Sequence, residues 1–239
     1  MDTLYIVIPA YNEQDNIADV INDWYPVIED KNADSRLVVI DDGSRDDTYK
    51  VLKEMSADRP KLAALTKPNA GHGATVLYGY RYALEHGADY VFQTDSDGQT
   101  LASEFPAFYE LRHDYDMVIG HRKGRQDGLA RKFVTKTLKA VCRICFKVSL
   151  TDANTPFRLM EAKTLRDNLK YVPEDFNLSN VILSVIYAKR GQKVKYIPIT
   201  FRPRQGGVNS INLKRIFKIG KRALKDFRSI NRQLKDMEK

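Results

Sequence analysis

Apolar residues fall in two alternating patterns along the first half of the chain. Short runs at Leu4–Pro9, Arg36–Ile40, Leu62–Thr66 and Asp89–Thr94 have the length and β-branched character of buried strands. Between them the period changes to that of a helix. Ile17, Val20, Ile21 and Trp24 recur at helical spacing, and Ser44 or Asp46 can cap a helix reaching about Met55. Asn69-Ala70-Gly71-His72-Gly73-Ala74 is a glycine-rich turn opening a helix to about His86. This alternation predicts an α/β fold with a doubly wound, mostly parallel sheet. The second half is less regular. It predicts a strand at Met117–Gly120, an amphipathic basic helix at Leu129–Val148 and a loop from Asp152 into a short strand ending at Met160. A helix at Asn177–Lys189 and a strand at Val194–Ile199 follow. From Leu213 to Leu234 the apolar residues trace one helical stripe. With no internal repeat or low-complexity linker, one domain over 1–210 carries a helical appendage over 211–239.

Composition refines this picture only in places. The 239 residues are 43% hydrophobic and 29% charged, enough for a sizeable core in an ordinary globular protein. Cys142 and Cys145, three apart on one helix, suit neither a strain-free disulfide nor a zinc site, and fit a reducing cytosol. The start of the chain lacks the features of a signal peptide, and no apolar run approaches a membrane span. The net charge of +8 is concentrated: 122–147 and 211–235 each hold nine Lys/Arg against one acid, while the remainder is net acidic. Such segments point to anionic partners such as phosphates or lipid head groups. A striped basic helix suits an anionic membrane surface, the protein's own body or a second copy in an oligomer. No nucleic-acid partner is expected.

The chemistry gathers where strands end. Doubly wound sheets bind ligands beyond the carboxyl ends of their strands. Three such ends carry acids and turn formers: Pro9–Glu13, Asp41–Ser44 and Asp95-Ser96-Asp97-Gly98-Gln99. In the last, two carboxylates one residue apart repel unless a cation sits with them, and a hard divalent ion sharing substrate phosphates meets that need. The first turn lacks G-x-G-x-x-G and the chain has no G-x-x-x-x-G-K-[ST], which excludes dinucleotide-fold and P-loop readings.

Ile8-Pro9-Ala10-Tyr11-Asn12-Glu13, Val39-Ile40-Asp41-Asp42-Gly43-Ser44 and Asp95-Ser96-Asp97-Gly98-Gln99 resemble family 2 glycosyltransferases of the GT-A fold. Asn69-x-Gly71-x-Gly73, Gly120-His121-Arg122, Asp152…Phe157-Arg158 and Phe201-Arg202-Pro203-Arg204 resemble its polyprenyl-phosphate sugar transferase branch, the dolichol-phosphate mannosyltransferase type. The resemblance implies that Pro9, Tyr11, Glu13, Ile40 and Asp42 hold the base and ribose of a nucleotide sugar. It implies Asp95 and Ser96 on the donor side, with Asp97 and Gln99 as ligands of Mg²⁺ or Mn²⁺. Arg122, Arg131 and Arg204 would bind donor or acceptor phosphates, for which the planar guanidinium is suited. The implied reaction is inverting, metal-dependent transfer of a sugar to a polyprenyl phosphate, by a cytoplasmic protein peripheral to the inner face of the membrane.

Two segments depart from that branch. Where some relatives carry an acid before Phe-Arg, this chain has Pro156, so any general base comes from elsewhere and Asp152 is the candidate. Gly207-Val208-Asn209-Ser210 replaces a Gly-x-Ser-Lys and loses a lysine. Alternatives are transfer to a glycan hydroxyl in cell-surface polysaccharide synthesis, and a catalytically silent scaffold docked on a membrane.

Overall fold

The computed structural model describes residues 2–122, 129–202 and 226–234, with side chains throughout except for 129–137. Seven strands form one sheet: β1 (Leu4–Ala10), β2 (Arg36–Asp41), β3 (Leu62–Thr66), β4 (Tyr90–Gln93), β5 (Met117–Arg122), β6 (Arg158–Glu161) and β7 (Val194–Ile199), in the order β3-β2-β1-β4-β6-β5-β7. Helices α1 (Ile17–Glu29), α2 (Thr48–Ser56) and α3 (His72–Glu85) connect the first four strands. A short 3₁₀ turn at Ala102–Glu104 leads into α4 (Phe105–Glu110). The second half adds α5 (Leu129–Phe146), α6 (Ala162–Leu169), α7 (Ser179–Lys189) and α8 over 226–234. The 3₁₀ turn, α4 and α6 were not anticipated; at six and eight residues, α4 and α6 are too short to show a helical period.

Alternating side chains send the strands into two cores, as a pleated sheet requires. Tyr5, Val7, Val38 and Ile40 face a cluster that includes residues of α3, α6, α7 and α8. Leu4, Ile6, Ile8, Leu37 and Val39 face α1, α2 and α4. Trp24 anchors the second core among Phe92, Phe105 and Phe157, with ring centroids 5.3, 6.4 and 5.9 Å away. Gly79 of α3 lets that helix close on β1 and β2: a Cβ there would sit 2.4 Å from Val7 Cγ1.

The sheet departs from uniform parallel order at β6, which lies antiparallel between β4 and β5. Arg158 pairs with Gln93 at the carboxyl end of β4, so β6 starts at the ligand-binding edge and runs away from it. The reversal brings 152–157 beside 95–99. β7 runs parallel to β5, with Ile199 opposite Arg122, and delivers 200–202 to the same edge.

The tail stripe lies partly in view. In α8, Phe227, Ile230 and Leu234 are buried, and Phe227 packs edge-on against Phe146 of α5 at 5.3 Å. The described part of the stripe therefore covers the protein body, and those three side chains are not available to a membrane. Arg228 and Arg232 stay exposed. Residues 203–225, including Arg204 and most of the proposed appendage, lie outside the described residues. Among those described, no helix is long and apolar enough to cross a membrane.

Candidate active site

At the end of β1 the chain turns through Tyr11, which is 42% exposed, and Asn12, whose φ of 54° lies in the left-handed region that asparagine tolerates. This turn is zipped to the one after β2. Ser44 Oγ accepts from Asn12 N at 2.9 Å, Asn12 Oδ1 from Arg45 N at 2.9 Å, and Thr48 Oγ1 from Glu13 N at 2.9 Å. Glu13 is buried; its Oε2 accepts from Asn16 and its carbonyl from Asn16 and Ile17 as α1 begins. Ile40, expected among the nucleotide contacts, is wholly buried against α3, so only its backbone reaches the edge. Pro9 is its parallel partner in β1.

Asp41 and Asp42 brace the neighbouring loops. Asp41 accepts from Ser44 N and Thr66 Oγ1. Asp42 is 3% exposed, and its carboxylate accepts from Lys67 Nζ, Ala70 N and Gly71 N. Burial alone would push that carboxyl up; the lysine and the loop N–H groups outweigh it and hold its pKa below the ordinary range. The loop so fixed presents the N-terminus of α3. Glycine is needed at position 73 because a Cβ would meet the carbonyl oxygens of Phe176 and Asn177 at 2.4 Å each.

β4 ends at Gln93, so Asp95 and Asp97 stand on a turn beyond the strand rather than on one face of it. Thr94 and Thr100 close the base of that turn, hydroxyl to hydroxyl at 2.7 Å, and Gly98 provides a φ of 66°. Ser96 is buried within it. His72, the first residue of α3, places Nε2 2.9 Å from Asp95 Oδ1. Desolvation disfavours the charged ring, yet Asp95 first, then Asp97 and Asp42, raise its pKa above the ordinary value. Three carboxylates thus make this corner electronegative. Gln99 Nε2 donates to Arg202 O at 2.8 Å, which turns Oε1 into the free end of that amide.

A hard divalent cation fits these donors. Asp97 and Gln99 Oε1 offer oxygen donors beside the Asp95 carboxylate, in a negative field, the type that Mg²⁺ and Mn²⁺ take together with substrate phosphates. Among the described residues no group of three His, Cys, Asp or Glu forms a complete cage, so substrate oxygens and water would complete the shell.

Across the edge, Arg122 and Asp152 form a two-pronged pair: Nε to Oδ2 at 2.9 Å and Nη2 to Oδ1 at 2.7 Å. Their side chains are 6% and 13% exposed. The Phe201 ring covers the guanidinium at 5.1 Å. Burial raises the Asp152 carboxyl, but the hydrogen bonds and charge of Arg122 prevail and lower its pKa. Residues 200–202 are strapped to the Asp-x-Asp segment: Arg202 N donates to Gln99 O at 2.8 Å, and Thr200 N to Glu104. The edge therefore brings together the segments expected to serve donor and acceptor. The side chain of Arg131 in α5, like Arg204, lies outside the described residues. Sequence reasoning missed His72, Lys67 and Arg158 as organisers. Single polar residues at the ends of elements carry no periodic signal, and the partners of His72 and Lys67 lie more than twenty residues away.

The family model for glycosyl transferase family 2 matches residues 5–203. The undecaprenyl-phosphate mannosyltransferase of Micrococcus luteus is 27% identical over 213 residues, 86% of each chain. The undecaprenyl-phosphate 4-deoxy-4-formamido-L-arabinose transferase of Pectobacterium carotovorum is 30% identical over 150 residues, 62% of this chain and 45% of the relative. This chain thus spans most of the first relative and under half of the second. In structure it resembles glucosyl-3-phosphoglycerate synthase from Mycobacterium tuberculosis, solved with Mn²⁺, UDP-glucose and phosphoglyceric acid, with a TM-score of 0.68 over 96% of this chain and 80% of the synthase at 18% identity. That likeness speaks for the fold. With an open α/β sheet, acid-bearing turns gathered at its carboxyl edge and a family match over most of its length, the chain belongs to glycosyl transferase family 2.

Proposed function

We propose that this chain transfers one sugar from a nucleotide sugar to the phosphate of a polyprenyl phosphate, with inversion at the anomeric carbon. A phosphate oxygen of the acceptor attacks that carbon, the bond to the donor's diphosphate oxygen breaks, and the nucleoside diphosphate leaves with the electron pair. Tyr11, Glu13 and the turn edge at Pro9 and Ile40 receive the base and ribose, with Asp42 bracing the loop beside them. Asp95 and Ser96 face the donor. Asp97 and Gln99 would hold a divalent cation, Mg²⁺ or Mn²⁺, whose charge would offset that of the departing diphosphate. Arg122, Arg131 and Arg204 supply positive charge for phosphates.

The observation that carries the acceptor class is the state of Asp152. A general base works best with a pKa near the operating pH and a free lone pair. Asp152 is poorly placed for that role: each oxygen already accepts from Arg122, and this pairing holds its pKa below the ordinary range. With Pro156 where an acid would stand, the site favours an acceptor that arrives already ionised, and a phosphate monoester does. The names of the Micrococcus and Pectobacterium relatives agree with this class. A lipid acceptor also places the protein at a membrane surface, on the cytoplasmic side where nucleotide sugars are available, as a peripheral protein.

Calorimetric titration with a panel of nucleotide sugars, with Mn²⁺ and with EDTA, tests the donor half. One donor should bind with Mn²⁺, and Asp97→Ala should lose at least about tenfold in affinity. Equal binding in EDTA, or an unaffected Asp97→Ala, would remove this assignment.

A further inference from the structure

Arg158 opens β6 opposite Gln93 and is wholly buried. None of the described carboxylates lies within ion-pair distance of it; its hydrogen-bond partners are carbonyls and a hydroxyl. Nε donates to Thr155 O at 3.0 Å, and Nη2 donates to Thr155 O at 2.5 Å and Ala153 O at 3.1 Å. Nη1 donates to Asn180 O at 3.0 Å and Ser184 Oγ at 3.4 Å. The single O–H of Ser184 is shared between Asn180 O at 2.8 Å and Ala153 O at 3.1 Å. Burying a guanidinium without an ionic partner is costly. What it provides is geometry. The fork grips both carbonyls of the turn directly after Asp152 and ties them to α7, the rigid helix behind the site.

We propose that Arg158 is the positioning residue of the acceptor half of the site. By fixing the 153–155 turn it holds the Asp152 carboxylate in its two-pronged register on Arg122, and so sets where the Arg122 guanidinium stands for an anionic acceptor. Arg158 itself touches no substrate. Ser184 is its second hand on Ala153.

The assignment of a phosphate acceptor underlies the kinetic half of the test; a second readout stands without it. In the ¹⁵N-labelled full chain, the Nε–H of Arg122 should be a slowly exchanging arginine resonance because Asp152 accepts it. Its exchange should quicken about fivefold in Ser184→Ala and more than tenfold in Arg158→Lys, as one neutral hydrogen bond and then a charged fork are lost. With a short-chain polyprenyl phosphate as acceptor, the acceptor KM should rise by similar factors, while the KM for the nucleotide sugar stays within twofold. An unchanged Arg122 resonance in a folded Arg158→Lys protein overturns the proposal, as does a donor KM that rises in step with the acceptor KM. If Arg158→Lys does not fold, Ser184→Ala decides: unaltered Arg122 exchange there overturns the proposal equally. A wild-type protein that transfers to no phosphate acceptor sinks the acceptor assignment alone, and the resonance still settles the role of Arg158.

Discussion

Asp152 and Arg122 illustrate how a pair of residues sets the chemistry open to the site. Each would be expensive to bury alone, and together they are nearly hidden. Because the folded-state pKa of Asp152 lies below its ordinary value near 3.8, the pair stabilises the fold fully above that value. That contribution drains away as pH falls through the depressed value. Asp152→Asn leaves the Arg122 charge uncompensated and should cost about 3 kcal/mol at pH 7. In urea titrations the gap between wild type and variant should narrow as pH falls below about 3.8, the direction a depressed carboxyl demands. A gap that stays constant with pH would show that the carboxylate charge contributes nothing. At this scale the sequence was a partial guide. Asp95, Asp97 and Gln99 stood out because acids and amides are rarely packed after an apolar run. Arg122 and Asp152 were marked by motif alone, and that they lock each other emerges only when β5 and the 152–157 loop meet.

At the scale of elements, the described parts of the two basic segments pack into one core and against each other. α5 and α8 meet through Phe146 and Phe227, and Asn231 Nδ2 donates to Cys145 O at 2.7 Å. The apolar stripe of the tail was legible by its period, but period does not say what covers a stripe. The described part is covered by the protein itself. Phe227→Ala should therefore destabilise the whole chain by about 3–5 kcal/mol, read as a lower urea midpoint. A midpoint unchanged within error would mean that α8 does not belong to the fold. With those apolar side chains occupied, membrane contact by α8 depends on charge, through Arg228 and Arg232. Sedimentation with phosphatidylglycerol vesicles should be strong in low salt and lost by roughly 0.5 M, because screening at that ionic strength shortens the reach of exposed charges to a few ångströms. Binding that survives high salt would point instead to inserted apolar residues.

Across the whole molecule, the doubly wound first half was legible almost to the residue, because β1 through β4 alternate with helices of ordinary length. β6 was legible as a strand but not in its direction. A four-residue run fits a parallel or an antiparallel neighbour equally, and the fold sets it antiparallel, with Arg158 opposite Gln93 at the top of β4. That single reversal puts the 152–157 loop across from the Asp-x-Asp turn, and β7 adds the strap at Gln99. On the proposed reading, the sheet edge joins a donor half built on hard oxygens to an acceptor half built on a locked cation. The most direct test of this account is mass spectrometry of lipid products from the purified chain, Mn²⁺, a mixture of nucleotide sugars, and a short polyprenyl phosphate with its matching alcohol. A glycosyl phosphate should form on the phosphorylated lipid, with no glycoside of the alcohol and no product with Asp97→Ala. A glycoside formed on the alcohol but none on the phosphate would contradict it.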